Sequence, residues 1–280
     1  MRSGAAFFLA LILTGTANAQ QTITNSLGME FVLIHPGRMV VGKFEPPYPV
    51  AGDTVKNARQ SSLMWMGNGR SSTEEFERAK MLATRDARPG FEVVLEKPYY
   101  IGRFEVTQAQ WRKVMGSNPS VFQGAAFKNA DSLPVDNVTW KDARRFIRKL
   151  NRLENAHNRH YKLPSEFEWE YAARAGATGD IPWNDIRRMA QLGTKSTRPV
   201  GGKDPNAWGL YDMLGNVWEW VEDYYNGKIF ADPLPPLKGR QHVLKGASFT
   251  GDVKNATYMT HAAGPGNGWG IGFRVVMIAP

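Results

Sequence analysis

Apolar and polar positions alternate from Met29 to Val41 around His35-Pro36-Gly37, which predicts two short strands joined by a turn, with Gly42 closing the hairpin. From Lys43 to about Glu96 the alternation stops. A proline-rich start, Glu45-Pro46-Pro47-Tyr48-Pro49, leads into polar residues and one helically spaced stretch, Thr73 to Ala83, so this segment reads as an inserted excursion. Alternation resumes as a strand over Pro98 to Val106. Thr107 then serves as the N-cap of a helix over Gln108 to Met115. A second helix is predicted from Thr139 or Trp140 to about Asn151, with Ala143, Phe146, Ile147 and Leu150 on one face. Ser165, three residues before Glu168, makes a capping box for a third helix, which runs to Ala175 and ends at Gly176. Beyond Trp183 regular periodicity fades, with strands expected at Trp218 to Glu222, His242 to Lys245 and Gly272 to Ile278. The pattern is α+β with much irregular structure.

The first residues carry a different signal. Arg2, an apolar run from Ala5 to Leu13 and Ala17-Asn18-Ala19 before Gln20 are ordered as in a cleavable export signal. Cleavage near Ala19 would leave a periplasmic or secreted domain over 20–280. An uncleaved anchor is the other reading, although the run is short of the ~20 residues that span a bilayer. The chain contains no cysteine, so no disulfide can help an exported fold. The formal net charge is +9, which suits an anionic ligand or surface. The basic residues are dispersed, and the densest group, Arg144, Arg145, Arg148 and Lys149, has helical spacing. Neither a nucleic-acid partner nor stable membrane insertion is expected.

Five segments then line up in order: NSLGMEFVLIHPGRMVVG (25–42), YYIGRFEVTQAQW (99–111), LPVDNVTWKDARRF (133–146), YKLPSEFEWEYAARAG (161–176) and GLYDMLGNVWEW (209–220). With GFRVV (272–276) they resemble the formylglycine-generating enzyme, or sulfatase-modifying factor, family. That resemblance implies a C-type-lectin-related fold, structural calcium and a surface cleft. Family oxidases bind copper with two cysteines shortly after a Gly-Gly-Ser segment and oxidise a substrate cysteine to formylglycine. By register from Ser248, those positions fall here on Gly251 and Ala256, and copper(I) requires soft sulfur ligands, so no copper is expected there. Another branch uses iron held by three histidines. His157 and His160 are close together in a polar stretch that reads as a solvated loop, and His35, His242 and His261 are scattered.

By the same resemblance, Asp212 and Glu219 would offer carboxylate oxygens, and Gly215 and Val217 carbonyls, to a calcium ion. A second calcium loop would be shortened to Trp183-Asn184-Asp185-Ile186. Without calcium, Asp212 and Glu219 would cap a turn and pair with Lys or Arg. The segment replacing the cysteine site is the other candidate. Asp252 and His261 read as an acid–base pair, and Ser248, Thr250, Asn255, Asn267 and Trp269 as a binding cleft amid Gly264-Pro265-Gly266 and Gly268 to Gly270. The same glycines also fit a loop shaped for folding alone. Trp111, Trp140, Trp169, Trp208, Trp218 and Trp220 read as core, Glu105 as a buried carboxylate with hydrogen-bonded or cationic partners, and Met64-Trp65-Met66 as an anchor for the excursion.

Three functions are consistent with this reading. The first is a maturation or accessory factor for a small molecule or peptide, since cysteine-free exported relatives include one that matures a siderophore chromophore. The second is a binding or scaffold module for an exported protein partner, as in signalling around type VI secretion. The third is a metal-dependent oxidase.

Overall fold

The computed structural model describes residues 20–42, 90–181, 183–227, 229, 235–252 and 257–279. The expected export signal, most of the excursion with its helix and Met64-Trp65-Met66, and Asn255 and Ala256 lie outside these residues. The strands are β1 (Thr22–Thr24), β2 (Glu30–Ile34), β3 (Gly37–Val41), β4 (Phe91–Leu95), β5 (Tyr99–Gly102), β6 (Tyr161–Lys162), β7 (Trp218–Tyr224), β8 (His242–Lys245), β9 (His261–Ala263), β10 (Ile271–Gly272) and β11 (Val276–Ile278). The helices are α1 (Gln108–Met115), α2 (Trp140–Glu154), α3 (Glu166–Arg174) and α4 (Trp183–Met189).

One antiparallel sheet has the order β1-β2-β5-β11-β6, and a second has the order β10-β7-β8-β9, with β10 parallel to β7. β3 and β4 form a separate ribbon. The predicted hairpin over Met29 to Val41 is therefore corrected. Both strands exist, but β2 pairs with β1 and β5, whereas β3 pairs with β4 from the far end of the excursion. Alternation locates a strand; its partner depends on residues some fifty positions away.

Local capping chemistry fixes the first three helices. Thr107, Thr139 and Ser165 each accept a backbone N–H from the residue three positions on, and Gln110, Asp142 and Glu168 return the bond. The third helix stops one residue earlier than expected: Ala175, in the left-handed region at φ 48°, is its cap, and Gly176 follows at φ 85°. α4 stands where no helical period was apparent. The expected strand over Gly272 to Ile278 is broken into β10 and β11 because Phe273 to Val275 turn Arg274 into the interior, where it is fully buried.

α2 buries Ala143, Phe146, Ile147 and Leu150, as its spacing predicts. Trp111 stacks on Phe146 at 5.4 Å, and Phe273 meets both rings edge-on. Each of these large side chains contributes about 1.5–3 kcal/mol on burial, which is how a chain without disulfides holds together. Trp111, Trp169 and Trp220 are buried, while Trp140, Trp208 and Trp218 are partly covered at the edges of the core.

Candidate functional site

Gln108, the first residue of α1, is buried and donates through Nε2 to the Phe122 carbonyl at 3.0 Å, while its Oε1 accepts from Asn118 at 2.9 Å. This fixes the 118–122 loop. Asp136 then ties that loop to the C-terminal segment: Oδ1 accepts the Val121 N–H at 3.1 Å and Oδ2 the Gly270 N–H at 3.2 Å. Burial raises the Asp136 carboxyl above its usual range, and these backbone donors pull in the opposite direction. One side chain thus clamps two loops together.

Trp269 stands on that clamp. It is 60% exposed, although Phe249 at 5.7 Å and Phe122 at 6.3 Å support its ring. Asn267 donates to Asn137 Oδ1 at 3.1 Å, and Asn137, at φ 60°, donates to the Pro119 carbonyl. Ser248 and Thr250 place their hydroxyls 3.1 Å apart, and a Cβ on Gly270 would lie 3.4 Å from that of Ser248. Four of the expected cleft residues, Ser248, Thr250, Asn267 and Trp269, therefore share one wall; Asn255 lies outside the described residues. Phe122, Asp136 and Asn137 complete it. The signal for them was Asp136-Asn137 within an otherwise apolar stretch, where a carboxylate needs a reason to be buried.

The two residues of the expected acid–base pair differ in their surroundings. Asp252 is exposed beside Thr250. His261 Nδ1 instead lies 3.1 Å from Glu166 Oε1, and its ring packs on Tyr225 at 5.1 Å. Burial pushes the Glu166 carboxyl up, but the adjacent His261 ring and the charge of Lys245 hold it below its usual range. Lys245, fully buried, lies 3.7 Å from Glu166 and 3.1 Å from Glu170, which in turn binds Arg174 at 2.7 Å. The 166, 170, 174 spacing, one helix turn apart, was the available clue to this chain of charges.

Glu105 is buried as expected, accepting from the Val217 N–H at 3.1 Å and from Asn216 Nδ2 at 2.7 Å. Burial and the neighbouring Asp212 and Glu219 carboxylates raise its carboxyl well above the usual range. Burial likewise lifts Asp212 to about 6, although its Oδ2 accepts the Gly201 N–H at 2.7 Å. Glu219 accepts from Arg274 Nη2 at 2.6 Å, and its second oxygen from Arg274 Nε and Trp169 Nε1, both at 2.7 Å. Arg274 also donates to the Tyr211 and Gly102 carbonyls.

As arranged, Asp212, Gly215, Val217 and Glu219 do not fit a calcium ion, because the Glu219 oxygens are directed at Arg274 and the Trp169 indole. The cation these carboxylates surround is the guanidinium. At the position expected for a copper cysteine, Gly251 closes a tight turn, its N–H donating to the Ser248 carbonyl at 2.7 Å. A Cβ there would come within 2.8 Å of that same oxygen. Both the missing sulfur and the missing space oppose a copper ligand at this position.

A family profile described as the sulfatase-modifying factor enzyme 1-like domain matches residues 21–279. The formylglycine-generating enzyme of Streptomyces coelicolor is 28% identical over 230 residues, covering 72% of this chain and 68% of that protein. The chaperone protein LppX of Paenibacillus barcinonensis is 29% identical over 238 residues, covering 64% and 79%. The solved structure of PvdO from Pseudomonas aeruginosa superposes with a TM-score of 0.68 at 22% identity, covering 93% of this chain and 99% of that one, a likeness of fold.

Proposed function

We propose that this chain, which belongs to the sulfatase-modifying factor enzyme 1-like family, is an exported accessory or maturation factor that does not perform cysteine-based oxidation. It holds a small molecule or peptide against the Trp269 wall. The observation that carries this reading is the exposure of Trp269, a large ring that two buried phenylalanines and the Asp136 clamp keep in place at the surface. A rigid aromatic beside amide and hydroxyl groups loses little freedom when a ligand stacks on it. The name of the Paenibacillus relative, a chaperone protein, is in keeping with an assisting role. Maturation of a siderophore chromophore, the expectation raised by the family resemblance, is one form of it.

The chemistry at this wall is binding and orientation. Asn267, Asn137, Ser248 and Thr250 present neutral donors and acceptors, and Trp269 supplies a stacking face. The Glu166–His261 pair is a separate feature on α3 and β9.

The test is genetic and chemical. With the gene deleted in its host, exported small molecules and peptides are compared by mass spectrometry, and the strain is complemented with wild type or Trp269→Ala. An unfinished species that matures only with the wild-type gene is expected. An unchanged exported profile would reject the maturation role and leave the scaffold reading, in which a protein partner is lost instead.

A further inference from the structure

The solvent side of α2 carries one sign of charge. Lys141, Arg145, Arg148 and Arg152, spaced by four, three and four residues, fall on a single line along the exposed face, and Lys149 flanks it. Eleven steps of helix make this stripe roughly 16 Å long. Arg144 is neutralised by Glu222 and Arg145 is 3.4 Å from Asp142, but among the described residues Lys141, Arg148, Lys149 and Arg152 have no acidic partner.

Solubility alone does not require such a face. Helix surfaces usually mix signs at these spacings, because like charges three or four residues apart repel, and a lysine in the first turn opposes the helix dipole. The acids of α2 are otherwise employed. Asp142 caps the helix, and Glu154 is buried against Arg159, Ser26 and Tyr161. Among the described residues only Asp142, beside Arg145, offsets this repulsion, and an external anionic partner would relieve the rest. Leu153, 53% exposed, follows Arg152 and adds an apolar side chain at the stripe's C-terminal end. A lipid interface buries such a residue, whereas a dissolved polyanion does not.

We propose that α2 is a peripheral docking surface for an anionic phospholipid bilayer, contacted through Lys141, Arg145, Arg148 and Arg152 with Leu153 at the interface. Electrostatic attraction of this kind is reversible and screened by salt.

The test is flotation of the purified protein with phosphatidylcholine vesicles and with vesicles containing one quarter phosphatidylglycerol. Arg148→Glu/Arg152→Glu is compared with Lys238→Glu/Arg240→Glu, which changes net charge equally at exposed residues elsewhere. All substituted residues are exposed, and circular dichroism melts verify folding. Expected are binding to the anionic vesicles alone, its loss in 0.5 M salt, at least tenfold weaker partitioning for the α2 pair, and near wild-type partitioning for the control pair. Leu153→Ser should weaken binding without altering charge. No binding to anionic vesicles, or equal loss in both pairs, overturns the proposal. Binding that ignores Leu153→Ser but is competed by soluble polyphosphate reassigns the stripe to a dissolved polyanion and overturns the lipid assignment.

Discussion

Arg274 and Glu219 form a fully buried two-point ion pair, Nη2 to Oε1 at 2.6 Å and Nε to Oε2 at 2.7 Å, at the meeting point of β7 and the break between β10 and β11. Removing one member leaves an uncompensated charge in the interior, typically a loss of about 3–5 kcal/mol. Arg274→Met should therefore cost about that much in urea unfolding, and so should Glu219→Leu. The double variant should cost less than the sum of the two. Strict additivity would show that the two groups do not act as a unit.

Because Arg274 takes the place a divalent cation would need at Glu219, chelation should have little effect. The melting temperature of purified protein is expected to move by less than about 2 °C on adding EDTA, a shift equivalent to about 1 kcal/mol for a domain of this size. A larger fall, together with stoichiometric calcium by mass spectrometry, would show that Glu219 exchanges its arginine for the metal.

Asp180 is buried, accepts the Tyr258 N–H at 3.0 Å and the Ile181 N–H at 2.8 Å, and has its carboxyl lifted to about 6 by desolvation. Arg174 nearby lowers it and Glu170 raises it. An unfolded aspartate titrates near 3.9. Between about pH 4 and 6 the native state therefore holds a proton that the unfolded chain has released, and this contribution to stability is lost as pH rises through the window. Asp180→Asn keeps an acceptor for both N–H groups and cannot ionise. Its stability relative to wild type should grow by roughly 1–3 kcal/mol from pH 4 to pH 7, measured by urea unfolding at several pH values. A constant difference would mean that Asp180 titrates normally.

Gly251 sits where an added Cβ would press on the Ser248 carbonyl and, at 3.1 Å, on Leu192. Gly251→Ala should cost roughly 1–3 kcal/mol through overpacking. Gly251→Cys should be destabilised similarly and retain no copper after dialysis. A Gly251→Cys protein as stable as wild type that binds copper would show that only the sulfur was missing.

The local parts of this fold were readable because their causes are local. Thr107, Thr139 and Ser165 announce helix starts by side-chain chemistry a few residues long, and the apolar face of α2 follows its period. The partners of β2 and β3 were not readable in the same way, since pairing rests on distant segments. α4 gave no clear period. At the site, the glycine-rich segment pointed to Ser248, Thr250, Asn267 and Trp269. The meeting of His261 with Glu166 could not be anticipated, because the carboxylate reaches the imidazole from a helix almost a hundred residues earlier. Arg274 was hidden for a related reason, because a lone arginine in an apolar run does not reveal which acid it will meet.

The strand order has a kinetic consequence. β11, the last strand in the sequence, is an interior strand, hydrogen-bonded to β5 on one side and β6 on the other. While β11 is still inside the ribosome, β5 and β6 have no common neighbour and the five-stranded sheet cannot close. Pairings between positions this far apart form slowly. The five-stranded sheet is therefore completed only after β11 has been synthesised, whatever the other sheet and the β3-β4 ribbon have already formed.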